Sequence, residues 1–366
     1  MPFRVLAVVG TRPEAIKMAP IVLRLRQEPK TFRVTLCTTA QHRGLLDSPL
    51  GLFGLRPDVD LDLMQPNQTL NGLCSRIFEG IDACLAEQRP DWLLVQGDTT
   101  TVMAAALAGF HRCVRVAHVE AGLRTGDLEN PFPEEMNRRV ADLVSSLHLA
   151  PTRRAAEALR REGILDSQIH VTGNTVVDAL LWIAGTEPAA ADSKMVLITS
   201  HRRESFGEPM RRAFRGIARL ARRFPDHSFV FPVHPNPNVA AAAGVLQGIP
   251  NVRLVEPADY RQFVSWLRSA RLVITDSGGV QEEAPTFGTP VLVLRDMTER
   301  PEGVERGVAR LVGTDERRIF EEAERLLTDE NAHAAMASAG NPYGDGRAAG
   351  RIAALLAGRQ IVPFEG

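Results

Sequence analysis

The sequence predicts an α/β protein built as two open parallel sheets wrapped by helices, and three observations carry that expectation. Apolar runs of strand length alternate with longer segments of helical period, the pattern of a parallel sheet covered on both faces. The chain has 366 residues, more than the roughly 250 to 300 at which a single core stops growing, so two domains of similar size are expected. Polar, glycine-containing segments follow many of the apolar runs, which is where an open parallel sheet binds its ligand.

Taken in order, the first half offers strands at Val5 to Val9, Val34 to Thr38, Trp92 to Gln96, Val114 to Val119 and Leu147 to Ala150. The second half repeats the style at Met195 to Thr199, Ser228 to Val233, Val252 to Val255, Leu272 to Thr275, Pro290 to Leu294 and Ala309 to Val312. The strand Ile169-His170-Val171 closes the first domain, giving domains of 1–172 and 173–345. The turn-rich run Asn341 to Gly346 precedes a last helical pattern from Arg347 to Leu356, so 346–366 is expected to pack back on the first domain. A ligand then belongs in the cleft between two such domains.

Composition removes several classes of function. With 44% hydrophobic and 24% charged residues, the chain is neither disordered nor a coiled coil. Its 43 basic and 44 acidic residues and 5% aromatics lack the footprint of nucleic-acid binding. No apolar run approaches the ~20 residues of a membrane span, and the N-terminus lacks a secretory h-region, so a cytoplasmic compartment is expected. Cys37, Cys74, Cys84 and Cys113 form no C-x-x-C pair, and no His/Cys/Asp cluster has metal spacing. Neither metal nor cofactor is expected, and the absence of G-x-G-x-x-G and of a P-loop agrees.

The polar segments after the strands hold the candidate chemistry. Ser277-Gly278-Gly279 lies between a strand and a helix, so its N–H groups suit a diphosphate, although Ser277 as a plain helix cap explains it equally well. Glu283, four residues after Gly279, suits a ribose diol, which favours a nucleotide over bare phosphate. Asp98 follows the run Leu93 to Gly97, where its ordinary role is capping the helix through Phe110. Glu120 ends Val114 to Val119, before the small pair Ala121-Gly122, and is harder to explain by an ordinary role. Glu134 and Glu135 follow Pro133, as in any helix first turn. Several carboxylates on one sheet edge raise at least one pKa and suit proton transfer. The cationic side is as crowded, with Arg12, Lys17, Arg43, Arg124, His201, Arg202, Arg203, His234 and Arg300. Lys17 as a surface partner of Glu14, and Arg202-Arg203 as a solvated face, are the plain alternatives.

Six runs in register resemble one family. They are Gly10-Thr11-Arg12-Pro13-Glu14-Ala15-Ile16-Lys17, Gln96-Gly97-Asp98-Thr99-Thr100, His118-Val119-Glu120-Ala121-Gly122-Leu123-Arg124-Thr125, Pro133-Glu134-Glu135-Met136-Asn137-Arg138, His201-Arg202-Arg203-Glu204-Ser205-Phe206-Gly207, and Asp276-Ser277-Gly278-Gly279-Val280-Gln281-Glu282-Glu283-Ala284-Pro285. Together they are similar to the non-hydrolysing UDP-N-acetylglucosamine 2-epimerases over nearly the whole chain. The resemblance implies two Rossmann-like domains facing across a cleft, the glycosyltransferase-B type, and a homodimer. It implies interconversion of UDP-N-acetylglucosamine and UDP-N-acetylmannosamine for surface polysaccharide, by elimination of UDP to 2-acetamidoglucal and readdition.

Carried over by motif, Arg12, Lys17, Asp98, Glu120, Glu134 and His201 line the reacting sugar and diphosphate. Phe263 meets the uracil side, Ser277, Gly278 and Gly279 the phosphates, Glu283 the ribose and Arg300 the nucleotide's anionic part. Asp98, Glu120 and Glu134 are the candidates for base and acid, with their assignment open, and Lys17 and His201 complete the catalytic set. The family commonly has Gln where this chain has Ala258. Of the second, activating substrate site of some members, Gln41, Glu134 and His234 are present, while Gly44 and Asn67 replace polar or basic groups, so weakened substrate activation is expected. Two alternatives share the chemistry or the fold: the same epimerisation of a UDP-diacetamido-uronic acid, and a retaining glycosyltransferase. A hydrolysing epimerase and a catalytically silent binding protein are the others. Closure of the cleft around the glucal is expected.

Overall fold

The structure, a computed structural model, describes residues 1–39, 49–65, 67–185 and 194–366. The chain divides into two compact units, Met1–Ala179 with Tyr343–Gly366, and Leu180–Pro342. Both are α/β units with a parallel sheet.

Among the described residues the first unit holds seven strands: β1 (Phe3–Val9), β2 (Phe32–Thr38), β3 (Val59–Asp60), β4 (Trp92–Gln96), β5 (Arg115–Val119), β6 (Leu147–Ala150) and β7 (Ile169–Val171). Their order is β3-β2-β1-β4-β5-β6-β7, and every pairing is parallel. Val5 to Val9 and Leu93 to Val95 are almost wholly buried, because central parallel strands are covered on both faces and so read as unbroken apolar runs. The order reverses between β1 and β4, and that switch point opens a crevice at the strands' carboxyl ends. Helices Arg12–Arg26 and Thr100–His111 follow those two strands. The second is rich in small residues, and a Cβ on its Gly109 would stand 2.6 Å from Leu93, so helix and strand are in close contact.

The chain's last helix, Ala348–Leu356, belongs to this unit. Asp178 accepts from the backbone N–H groups of Ala348 and Ala349 at 3.2 and 2.9 Å, capping it from a distance of about 170 residues in sequence. Trp92 Nε1 donates to Leu356 O at 3.2 Å and ties its other end to β4. Burial raises the Asp178 carboxyl to about 6.

The second unit holds β8 (Met195–Thr199), β9 (Ser228–Pro232), β10 (Val252–Val255), β11 (Ala270–Thr275), β12 (Val291–Val293) and β13 (Ala309–Leu311). Their order is β10-β9-β8-β11-β12-β13, again all parallel, with the switch point between β8 and β11. Phe214, Phe229 and Phe231 are fully buried at the centre of its core, with Ile217, Leu220, Ile319 and Leu326 from helices Glu208–Arg223 and Glu316–Thr328. The predicted strands coincide with observed ones to within two residues at either end. The edge strand β3 was not anticipated, since two residues are too few to show a pattern.

Candidate active site

In the first unit the chain segments leaving β1, β4 and β5 meet at the switch point. Beyond Val119 the backbone turns sharply: Glu120 adopts φ +66° and Gly122 φ +88°. The left-handed conformation costs a branched or bulky residue energy, and its presence at a glutamate marks a constrained position. A Cβ at Gly122 would lie 2.3 Å from the Ala155 carbonyl oxygen, so only glycine fits there. The turn carries the Glu120 carboxylate, almost fully buried, against Lys17 Nζ, which donates to both oxygens at 2.7 and 2.6 Å. Gln96 Nε2 donates to the same carboxylate, and Asn174 Nδ2 lies at 3.4 Å. Lys17 is therefore paired across the sheet edge, and the surface pairing with Glu14 does not occur.

Asp98 does not cap its helix. Thr99 is the N-cap, its hydroxyl oxygen accepting from Val102 N at 3.4 Å. The Asp98 carboxylate instead receives Arg138 Nη2, while its carbonyl accepts from Asn137 Nδ2 at 3.0 Å. Both donors belong to helix Glu134–Val144. Glu134 opens that helix and is half-buried. Glu135 is wholly buried and accepts from Thr125 N and Gly126 N at 3.0 and 3.2 Å, which holds the preceding loop in place. Arg12 stands half-buried at the start of its helix. Arg124, one of the cations on this edge, is committed to Asp142 and Glu162 at 2.8 and 2.7 Å.

Two groups at this edge escaped the reading of single residues. Glu14 is buried, accepts from Gly10 N at 2.7 Å and Thr11 Oγ1 at 2.8 Å, and is raised to about 7 chiefly by burial, with the negative charge of Asp98 adding to the rise. Its sequence signal is Thr11-x-x-Glu14, the spacing of a capping box. His118, on β5, joins Asp142 Oδ1 and Gly97 O at 2.6 and 2.7 Å through its two ring nitrogens. Nothing in the sequence pattern separates a buried histidine of this kind from a core residue.

In the second unit the segments after β8 and β11 are organised by Asp276, which is fully buried. Its oxygens accept from Ser200 Oγ at 2.8 Å, His201 N at 2.9 Å and Arg202 N at 3.0 Å. The His201 ring is stacked on His234 with centroids 5.7 Å apart, and its Nδ1 is 3.5 Å from Asp276 Oδ1. His201 is held below the ordinary histidine range, first by desolvation and then by the charges of Arg202 and His234, against the opposing pull of Asp276. Ser277 occupies the N-cap of the short helix Gly278–Glu283, and its side chain makes no capping hydrogen bond. A Cβ on Gly278 would come 3.5 Å from Arg202 Nη2, so a guanidinium stands beside the Ser277-Gly278-Gly279 turn.

Glu283 accepts from Tyr260 OH at 3.3 Å, and Phe263 is half-buried on helix Tyr260–Ser269. Arg300 pairs with the buried Glu282 and donates to Glu299 O at 3.3 Å. Of the second-site residues, Glu134 and His234 are described, and Gln41, like Gly44, lies outside the described residues. Among the described residues no group of three His, Cys, Asp or Glu side chains is arranged to hold a metal ion. No described helix is long and apolar enough to cross a membrane.

A family model described as UDP-N-acetylglucosamine 2-epimerase matches residues 24–357. The chain belongs to the UDP-N-acetylglucosamine 2-epimerase family. It is thus an isomerase by family. The UDP-N-acetylglucosamine 2-epimerase of Escherichia coli K12 is 50% identical over 374 residues, covering 98% of this chain and 99% of that protein. The crystal structure of UDP-GlcNAc 2-epimerase from Neisseria meningitidis bound to UDP-GlcNAc matches with a TM-score of 0.86 at 43% identity, over 96% of this chain and 99% of that one. The S. aureus MnaA structure with UDP matches with a TM-score of 0.85 at 42% identity, over 97% and 96%.

Proposed function

We propose that this chain interconverts UDP-N-acetylglucosamine and UDP-N-acetylmannosamine without net hydrolysis. The observation that carries the reading is the gathering of Lys17, Asp98 and Glu120 at one sheet edge, in a family member similar over nearly its whole length to an epimerase solved with UDP-GlcNAc.

The C2 proton of the sugar is too weakly acidic for direct removal. Breaking the bond between C1 and the diphosphate oxygen sends its electron pair to UDP and leaves oxocarbenium character beside C2. Arg12, His201, Arg300 and the turn Ser277-Gly278-Gly279 stabilise the departing diphosphate, with Phe263 and Glu283 holding the uridine. One carboxylate takes the C2 proton, and a C1–C2 double bond forms, giving 2-acetamidoglucal. UDP then adds back to C1 while a second acid delivers a proton to the opposite face of C2, which inverts that centre. Asp98, Glu120 and Glu134 supply base and acid. Lys17 holds Glu120, and the left-handed backbone at that residue fixes where its carboxylate stands.

Proton NMR of UDP-N-acetylglucosamine with the purified chain in D2O, without acceptor, tests this. The manno isomer with deuterium at C2 and little free UDP is expected. Free N-acetylmannosamine accumulating with UDP would replace the reading by a hydrolysing one, and turnover only with an added acceptor would replace it by glycosyl transfer.

A further inference from the structure

We propose that His118 is a buried imidazolium that acts as a positioning residue, fixing the Gly97–Asp98 turn and so the direction of the Asp98 carboxylate. The proposal deepens the reading above, on which the importance of Asp98 rests.

The argument begins with hydrogens. His118 is fully buried on β5, opposite Val95 of β4. The ladder between these strands runs one step further, with Gly97 N donating to Val119 O at 3.1 Å. Gly97 then turns with φ +86°, and its carbonyl oxygen lies 2.7 Å from His118 Nε2. The other ring nitrogen, Nδ1, is 2.6 Å from Asp142 Oδ1. A carbonyl has no proton to give, so Nε2 must donate. Asp142 already accepts from Arg124 Nη2 at 2.8 Å and from Gly122 N at 3.3 Å, which favours its anion, so Nδ1 must donate as well. Only imidazolium carries both N–H groups.

The surrounding charges allow it. Asp142, from helix Glu134–Val144, faces the ring directly, and its own carboxyl is lowered despite burial. Arg124, from the loop after β5, opposes the imidazolium but is shared with Glu162. His148 on β6, the strand neighbour of His118, is kept below the ordinary range by burial and so adds no full charge in the neutral range. Burial works against the charge on His118, the Asp142 carboxylate and the Gly97 carbonyl outweigh it, and the ring stays above the ordinary histidine range.

The consequence reaches the reacting group through one turn. Gly97 O is held by His118, Asp98 O by Asn137 Nδ2, and the Asp98 carboxylate by Arg138. Removal of the His118 proton takes away one of the ring's two N–H groups while the buried Asp142 carboxylate and the partly buried Gly97 carbonyl both remain as acceptors. The two can then no longer both accept from the ring.

The test uses the full chain labelled with 15N-histidine. In long-range proton–nitrogen spectra at pH 8, one of the nine histidines is expected with both ring nitrogens protonated and with slow N–H exchange, as a fully buried ring requires. His118→Gln should remove that signal, and Asp142→Asn should turn it neutral. A wild-type spectrum at pH 8 with every ring neutral overturns the proposal, whether or not either variant folds. In kinetics, Asp142→Asn should lower kcat roughly 100-fold at pH 8, as misplacing a catalytic group does, with KM changed less than about threefold. The ratio of variant to wild-type kcat should rise as pH falls from 8 to 6 and His118 regains its proton. A pH-independent ratio would mean that the network is merely structural. Failure of the wild-type chain to epimerise would refute the functional reading and leave the spectroscopic result standing.

Discussion

Replacing Glu14 by Gln should make the first unit more stable relative to wild type as pH rises. Glu14 is raised from 4.5 to about 7, chiefly by burial. A carboxyl whose folded pKa is raised binds its proton more tightly in the native state, so its cost is absent below about pH 4.5 and grows until pH 7. The shift of two and a half units corresponds to about 3 kcal/mol at high pH. Between pH 5 and pH 8 the accrued difference is about 2.5 kcal/mol, because part of the cost is already present at pH 5. Glutamine carries no titrating proton and keeps one oxygen to accept from Gly10 N or Thr11 Oγ1. In a unit of roughly 200 residues this amounts to roughly 5 to 10 °C in Tm. The assay is the melting temperature of both proteins by circular dichroism from pH 5 to 8, read as variant minus wild type so that other titrating groups cancel. A difference that stays level across that range, or falls with pH, refutes the argument that Glu14 is buried with a raised pKa.

Three further outcomes follow from the same geometry. Lys17→Met leaves the nearly buried Glu120 carboxylate without its bidentate partner, and should cost roughly 3 to 5 kcal/mol with at least ~100-fold in kcat; denaturant unfolding and steady-state kinetics measure the two. Gly122→Ala combines φ +88° with a Cβ 2.3 Å from a backbone oxygen; it should lower stability by more than ~2 kcal/mol, seen as poor soluble yield or a lowered Tm, whereas Gly126→Ala, which also has positive φ but open space around it, should cost less. Asp276→Asn points an amide at backbone N–H groups that now find an acceptor; UDP affinity by calorimetry should weaken about tenfold, the equivalent of ~1.4 kcal/mol, while unchanged affinity would mean that the loop after β8 holds its shape without this carboxylate.

The sheets were legible because parallel strands are buried on both faces. Val5 to Val9 and Leu93 to Val95 leave no polar position to confuse the period, and the polar residues that follow stand at the carboxyl edge by necessity. Motif order then placed Asp98, Glu120 and Lys17 at one edge, but not their partners. Lys17 has Glu14 three residues away, yet it reaches across 103 residues to Glu120, because Glu14 is already claimed by Gly10 and Thr11. Asp98 precedes a helix, yet Thr99 caps it and frees the carboxylate for Arg138. Pairings between loops of different strands depend on tertiary distance, which local spacing does not encode. His118 was illegible for the same reason, since its two acceptors come from the end of β4 and from a later helix.

The two units fix their sheet edges by different means, and the difference bears on what each can do. In the first, Glu14 and Glu135 accept from backbone N–H groups, but the candidate proton-transfer groups and their neighbours are held by side chains: Lys17 on Glu120, Arg138 on Asp98, Asp142 on His118. Such groups suit proton transfer, because a modest change in one charge is felt by the next in a poorly screened setting. In the second, the buried carboxylate of Asp276 gathers backbone N–H groups, so the loop that carries His201 and Arg202 keeps its form through main-chain bonds. Asp276 satisfies these donors from beneath, and Arg202 remains beside the glycine turn. A frame built this way loses little freedom when an anion arrives, which is what binding a nucleotide diphosphate demands. The chemistry of the proposed reaction divides along the same line: proton movement calls for the coupled charges of the first unit, and holding UDP while it is detached from the sugar calls for the fixed loop of the second.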